Sequence, residues 1–323
     1  MKHKIIFLFS LAVILALGTL MTGDRLLAGG EPGYRFEKSW GTRGAGPGEF
    51  REPIGIALTG NQVFVSDAGN NRIQEFDRNG RFIKEFGNDQ APLGGLSRPM
   101  HLDISGGKLY VADYLNDRIA IFSLAGKPLG EVGAPGTGPG QFDAPAGVAV
   151  DGRGRIYVAD FFNQRVQVLD RQGKFIRQFG KTGKKGISAG MFNYPTDVAL
   201  LPDGPLVVAD AYNDRIQVFS PEGRFLRKWG GPFAMNISGR FHGWFKTATA
   251  VAVTLGGDIF VADFYNHRIQ KFTRTGKFLL SFGSQGSGPG QFERPTDVGV
   301  DTAGNVYVVD FGNNRIQKFK PTR

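Results

Sequence analysis

One segment occurs six times in this chain, at residues 65–76, 111–122, 158–169, 208–219, 261–272 and 308–319. Each copy reads Val-x-Asp-x-x-Asn-x-Arg, continues with Ile or Val, and closes on Phe or Leu. The aspartates Asp67, Asp113, Asp160, Asp210, Asp263 and Asp310 follow one another at intervals of 46, 47, 50, 53 and 47 residues. A period of about 40–50 residues, with turn residues between short alternating apolar runs, marks propeller blades. Each such unit buries its faces only against its neighbours.

Four strands are legible in each repeat. In the third, strand a follows a proline (Pro145-Ala-Gly-Val-Ala-Val150), strand b is Ile156–Ala159, strand c runs from Arg165 to Leu169, and strand d is Lys174–Phe179. Period-two alternation makes them strands, and the Asp/Gly turns between a and b and between c and d make them hairpins. The 48 glycines follow no collagen period and fit many tight turns, and 28 phenylalanines suit strands better than helices. No segment after the N-terminus reads as a helix. The last repeat stops after its strand c, at Phe319, whereas the first begins with a lone strand d, Tyr34–Trp40. The expected fold is therefore all-β: a six-bladed propeller over 34–319 of four-stranded antiparallel blades. The N-terminal strand should complete the last blade and leave no open sheet edge.

The first 28 residues differ in kind. Lys2, His3 and Lys4 precede an apolar run, Ile5 to Leu17, that is shorter than a membrane helix needs. Residues 1–28 read as a signal peptide, with an uncleaved N-terminal anchor as the alternative, so the expected location is secreted or periplasmic. The net charge of +10 includes +2 from residues 1–28, leaving 10 − 2 = +8 for the rest. With no cysteine, disulfides, thiolate metal sites and cysteine nucleophiles are excluded.

The Asp-x-x-Asn-x-Arg-Ile-Gln core, with Gly-x-Gly-Pro-Gly-x-Phe linkers at 44–50, 136–142 and 286–292, resembles NHL repeats. That resemblance implies a rigid disc with a central channel. The family includes RNA-binding domains, sensor domains of bacterial kinases and a zinc-dependent amidating lyase, so the fold alone does not settle function.

Three sets of residues merit attention. The first is the repeated pairs Asp67 and Arg72, Asp113 and Arg118, Asp160 and Arg165, Asp210 and Arg215, Asp263 and Arg268, Asp310 and Arg315. Each flanks a b–c turn in which Asn suits a left-handed position, and sixfold repetition argues for a structural role. The second is the variable pair after each aspartate, which places Tyr114, Phe161, Phe162, Tyr212, Phe264 and Tyr265 in the b–c loops. These loops share a face with the long d–a linkers 88–98, 181–192 and 231–245, and a partner-binding surface is expected there. The third is the second residue after the strand-a proline, which should point into the channel mouth. Going round the ring it is Gly55, His101, Gly147, Asp197, Ala250 (where Ala248 replaces the proline) and Asp297, so His101, Asp197 and Asp297 are a candidate ligand-binding set.

No catalytic residue, metal site or cofactor is assigned. The chain has four histidines, His3, His101, His242 and His267, too few at matching positions for the lyase's zinc site. Arg78, Arg81, Arg171, Lys174, Arg224, Arg227, Arg274 and Lys277 cluster at c–d turns and strand d, on the opposite rim. The expected function is that of an exported, monomeric, non-enzymatic propeller that binds a protein or glycan partner or serves as a scaffold. One alternative is a lactonase-like hydrolase or lyase acting at the channel mouth. The other is binding of an anionic polymer or nucleic acid by the basic rim, a reading that export disfavours for nucleic acid. Membrane contact is expected only through the N-terminal anchor.

Overall fold

The computed structural model describes residues 31–88 and 94–322. The proposed signal segment, 1–28, lies outside the described residues, as does part of linker 88–98. The described residues form six four-stranded antiparallel sheets, each with strands in the order a, b, c, d. Blade 3, for example, pairs Pro145–Val150 with Ile156–Asp160, then Arg165–Leu169, then Phe175–Gly180. Within each blade the repeated aspartate ends strand b and sits directly opposite its arginine at the start of strand c, as Asp160 does opposite Arg165.

The sixth blade is built from both chain ends. Tyr34–Trp40 pairs antiparallel with Arg315–Pro321, Phe36 facing Phe319 and Trp40 facing Ile316. The strand at the C-terminal end runs two residues beyond Phe319, and Lys318 and Lys320 both reach Glu37 of the closing strand, at 3.2 and 2.6 Å.

The core lies between blades. Six apolar clusters are buried, one at each blade–blade joint. At the joint of blades 3 and 4, Phe219 meets Phe179 and Phe192 with ring centroids 5.1 and 5.7 Å apart. The linker phenylalanines Phe50, Phe142, Phe192, Phe245 and Phe292 are fully buried. Each anchors the chain as it passes from one blade to the next, and burying such a ring is worth roughly 1.5–3 kcal/mol. The glycine after strand d makes room for it. Gly133 has φ +101°, and a Cβ there would stand 2.4 Å from the Phe142 ring.

Among the described residues the only helical turns are three-residue 3-10 segments. Five of them occupy b–c loops, such as Ala211–Asn213. No helix among these residues is long and apolar enough to cross a membrane.

Candidate functional site

The repeated aspartates and arginines hold the loops together. One carboxylate oxygen of each Asp accepts a linker N–H at 2.7–2.9 Å, from Arg51, Ser97, Asp143, Asn193, Lys246 and Glu293 in turn. The other accepts the Nε–H of the paired arginine at 2.7–2.8 Å. The repeated Asn donates both to that Asp and to a linker carbonyl, as Asn213 does to Asp210 and Gly186. All six aspartates are buried. Burial raises the carboxyl pKa of Asp160, Asp210 and Asp263 even though each faces a guanidinium. Desolvation outweighs the partner there, so these pairs specify the loop geometry more than they add stability.

The left-handed position of the b–c turn is not the repeated Asn. It is the next residue, Asn71, Asp117, Gln164, Asp214, His267 or Asn314, with φ between 49° and 58°. The Asn is drawn instead into its bond with the aspartate. The side chain of the left-handed residue reaches the next blade and accepts the backbone N–H just before strand a. The donors are Arg98, Ala144, Tyr194, Thr247, Arg294 and Glu52, at 2.6–3.2 Å. Every one of these donors is itself left-handed, with φ from 53° to 64°. Non-glycine residues rarely adopt that conformation, and here a cross-blade bond holds it.

On the face carrying these loops, the aromatic side chains gather into two groups. Tyr114, Phe161, Phe162 and Tyr212 form one across blades 2–4, joined by Tyr194. Tyr194 stacks on Phe161 at 4.7 Å between centroids. Lys185 sits over the Tyr194 ring at 3.9 Å and donates to its hydroxyl. Phe264, Tyr265 and Phe311 form the second, bordered by Lys246 and Arg294. Phe162 and Tyr212 remain 46% and 52% exposed, and Tyr265 51%, while Tyr114, Phe161 and Phe264 are half-buried. Tyr194 precedes the strand-a proline, and its left-handed backbone turns its ring onto the b–c loops. Sequence reasoning missed it because only the cross-blade clamp brings that position to the face.

At the same end of the channel, one ligand atom each from His101, Asp197 and Asp297 lies within 4.8 Å of the others. They top a channel of about 330 Å³ lined by strand a of all six blades. Each aspartate also bridges to the following blade, Asp197 accepting the Val251 N–H at 2.9 Å and Asp297 the Ile56 N–H at 2.8 Å. His101 Nδ1 stands 3.2 Å from Asp297 Oδ2. The direction of approach is poor, so this atom has no hydrogen-bond partner. Burial disfavours a charged His101, but the Asp197 and Asp297 carboxylates win and push its pKa up to about 9. Burial raises Asp197 to about 7, against the attraction of His101. Two residues beyond His101 on the same strand, half-buried Asp103 accepts the N–H groups of Val150 and Ile104, and desolvation raises its pKa to about 6; it is a channel carboxylate the sequence did not single out.

The NHL repeat family matches residues 50–76, 142–169 and 192–219, and a family described as a 6-bladed beta-propeller matches 248–322. The chain is a six-bladed β-propeller that carries NHL repeats. Among solved structures, this NHL propeller is similar to a protein of unknown function from Bacteroides thetaiotaomicron (15% identity, 90% of this chain and 76% of that one, TM-score 0.68). It is also similar to a streptogramin B lyase (17%, 90% and 98%, 0.62). A catalytically inactive virginiamycin B lyase from Staphylococcus aureus with quinupristin is a third (16%, 89% and 89%, 0.59). At such identities the likeness is one of fold. Among curated proteins no relative matches the sequence.

The opposite rim of the NHL propeller is less free than its composition implies. Arg78 pairs with Asp301 of blade 6 at 2.5 Å, Arg274 with Asp203 of blade 4, and Arg81 with Asp77 at 3.3 Å. Part of the expected basic surface is thus engaged in ion pairs, two of them between blades.

Proposed function

We propose that this propeller is an exported binding module that holds a protein or glycan partner on the face carrying the b–c loops. The observation that carries this reading is the continuous aromatic platform of Tyr114, Phe161, Phe162, Tyr194 and Tyr212, half open to solvent on a rigid frame. Clustered aromatic rings with exposed edges supply large contact area at small entropic cost, and such anchors dominate many interfaces. Lys185 at this platform, with Lys246 and Arg294 at the second aromatic group, favours a partner with carboxylate or hydroxyl groups beside its apolar contacts. The sixfold loop network supports the same reading, because it displays these side chains without needing to move.

The test is a pull-down from the cell-envelope fraction with wild type, a Phe162→Ala/Tyr212→Ala variant and a Lys174→Glu/Arg224→Glu rim variant, all shown to be folded. Loss of the partner with the aromatic variant alone supports the proposal. Loss with the rim variant alone moves the site to the basic wall and favours an anionic polymer. A second reading, a hydrolase or lyase acting at the channel mouth, is favoured by the buried His101–Asp197–Asp297 cluster with its raised pKa values.

A further inference from the structure

The His101, Asp197 and Asp297 cluster has a layout that the repeat itself explains. The three residues lie on strand a of blades 2, 4 and 6, so a sixfold ring presents them at threefold spacing about its axis. Blades 1, 3 and 5 place Gly55, Gly147 and Ala250 at the same level. A Cβ on Gly55 would stand 2.4 Å from the Met100 carbonyl oxygen, and one on Gly147 2.6 Å from the Asp197 Cα. Small residues on alternate blades are therefore what lets the three larger ones close on the axis.

Protein–protein contacts leave this triangle incomplete. His101 is 3% exposed, and its Nδ1 has no hydrogen-bond partner although it faces Asp297 Oδ2 at 3.2 Å. Two ligands bound at zinc distances to one tetrahedral ion stand about 3.3–3.4 Å apart, so this separation is that of a coordination edge. Oδ2 of Asp197 and of Asp297 each accepts one backbone N–H and keeps a further lone pair for the axis. Once His101 has given up its ring proton, as a metal ligand must, the imidazole and two carboxylates carry two negative charges in a buried place, which one dication cancels.

We propose that His101, Asp197 and Asp297 bind one divalent transition-metal ion on the channel axis, zinc matching one imidazole and two carboxylates best. All-oxygen cations such as calcium and magnesium fit this donor set less well. Three protein ligands leave one coordination position open toward the channel of about 330 Å³. That position would take water or a small anionic group, the arrangement of a zinc site that works on a ligand rather than one that only braces a fold. The proposal is independent of the docking face.

The experiment uses the intact protein, stripped with a chelator and titrated with zinc, manganese or calcium by calorimetry, with bound metal measured after desalting. One equivalent of zinc, bound more tightly than calcium by at least tenfold and raising the melting temperature, is expected. His101→Gln and Asp197→Asn should each weaken zinc binding at least tenfold. Crystals of zinc-loaded wild type should show anomalous scattering between the three side chains, which locates the ion even if a variant fails to fold. Absence of stoichiometric zinc in folded wild type overturns the proposal, as does anomalous density anywhere else or zinc affinity that folded variants retain.

Discussion

Asn314 Oδ1 accepts the backbone N–H of Glu52 at 3.1 Å, joining residues 262 positions apart across the seam where the last blade meets the first. The same clamp recurs at the other five joints, where Asp117, Gln164 or His267 does what Asn314 does here. The ring is therefore closed twice, by this clamp on one face and by the N-terminal strand along the outer edge of blade 6.

Deleting residues 34–41 removes that strand. Strand c of the last blade loses its outer partner and keeps only strand b, Phe319 loses its contact with Phe36, and Trp40 no longer packs on Tyr307 and Phe76. A loss of several kcal/mol is expected, a large share of a typical total of about 5–15 kcal/mol. Thermal melts of the truncated and full proteins check this, and equal midpoints would show that closure adds nothing.

Asp214 tests the clamp in isolation. Its Oδ1 holds the N–H of Thr247, a β-branched residue kept at φ +64°. Asp214→Gly tolerates the left-handed backbone but removes the acceptor, so a destabilisation of about 1–3 kcal/mol is expected. Asp214→Asn keeps the acceptor and should stay within about 0.5 kcal/mol of wild type. Denaturant midpoints that fail to separate the two variants would remove the clamp as a stabilising contact.

Arg165→Ala leaves Asp160 fully buried without its cation, and also frees the carbonyls of Gly138 and Gln141. Breaking a buried pair from one side costs about 3–5 kcal/mol. Partner binding by the fraction that remains folded should be unchanged. A variant that melts normally but loses its partner would assign Arg165 to recognition.

Asp301 provides the pH test. Burial opposes its ionisation, but the Asn305 side chain and N–H, with Arg78, hold its pKa below the ordinary carboxylate value. A depressed folded-state pKa means that this group stabilises the protein above the unfolded-state pKa. The contribution fades as pH falls through the acid carboxylate range. Asp301→Asn should therefore be less stable than wild type at pH 7 by about 1–3 kcal/mol. The difference should shrink steadily below about pH 4. A gap that stays constant down to pH 2 would mean that the ion pair with Arg78 is not its source.

Phe162→Ala/Tyr212→Ala separates display from packing. Both rings are about half exposed, so the fold should lose little stability, on the order of 0.5 kcal/mol per site. Truncation of a docked aromatic commonly costs about 2 kcal/mol or more of binding. Surface plasmon resonance against the captured partner reads the second quantity and a melt reads the first. A large fall in melting temperature would place these rings in the core instead.

Much of this molecule was legible along the chain because a repeat states its own architecture. Six copies of Val-x-Asp-x-x-Asn-x-Arg, strand alternation and a stray strand at Tyr34–Trp40 imply blades, their number and the closing strand, all of which depend on local periodicity and pairing. Counting from the strand-a proline also put His101, Asp197 and Asp297 at one level, since register within a strand is a local property. Tertiary structure decided what depends on one blade meeting the next. It moved the left-handed turn from the repeated Asn to its neighbour and gave variable residues such as Gln164 and His267 one shared task. It brought Tyr194 onto the aromatic platform, paired Arg78 with Asp301, and left His101 Nδ1 facing Asp297 without a hydrogen bond. These contacts join residues 27 or more positions apart, chosen by the angle at which rigid sheets pack around an axis, and no pattern within a single repeat contains that angle.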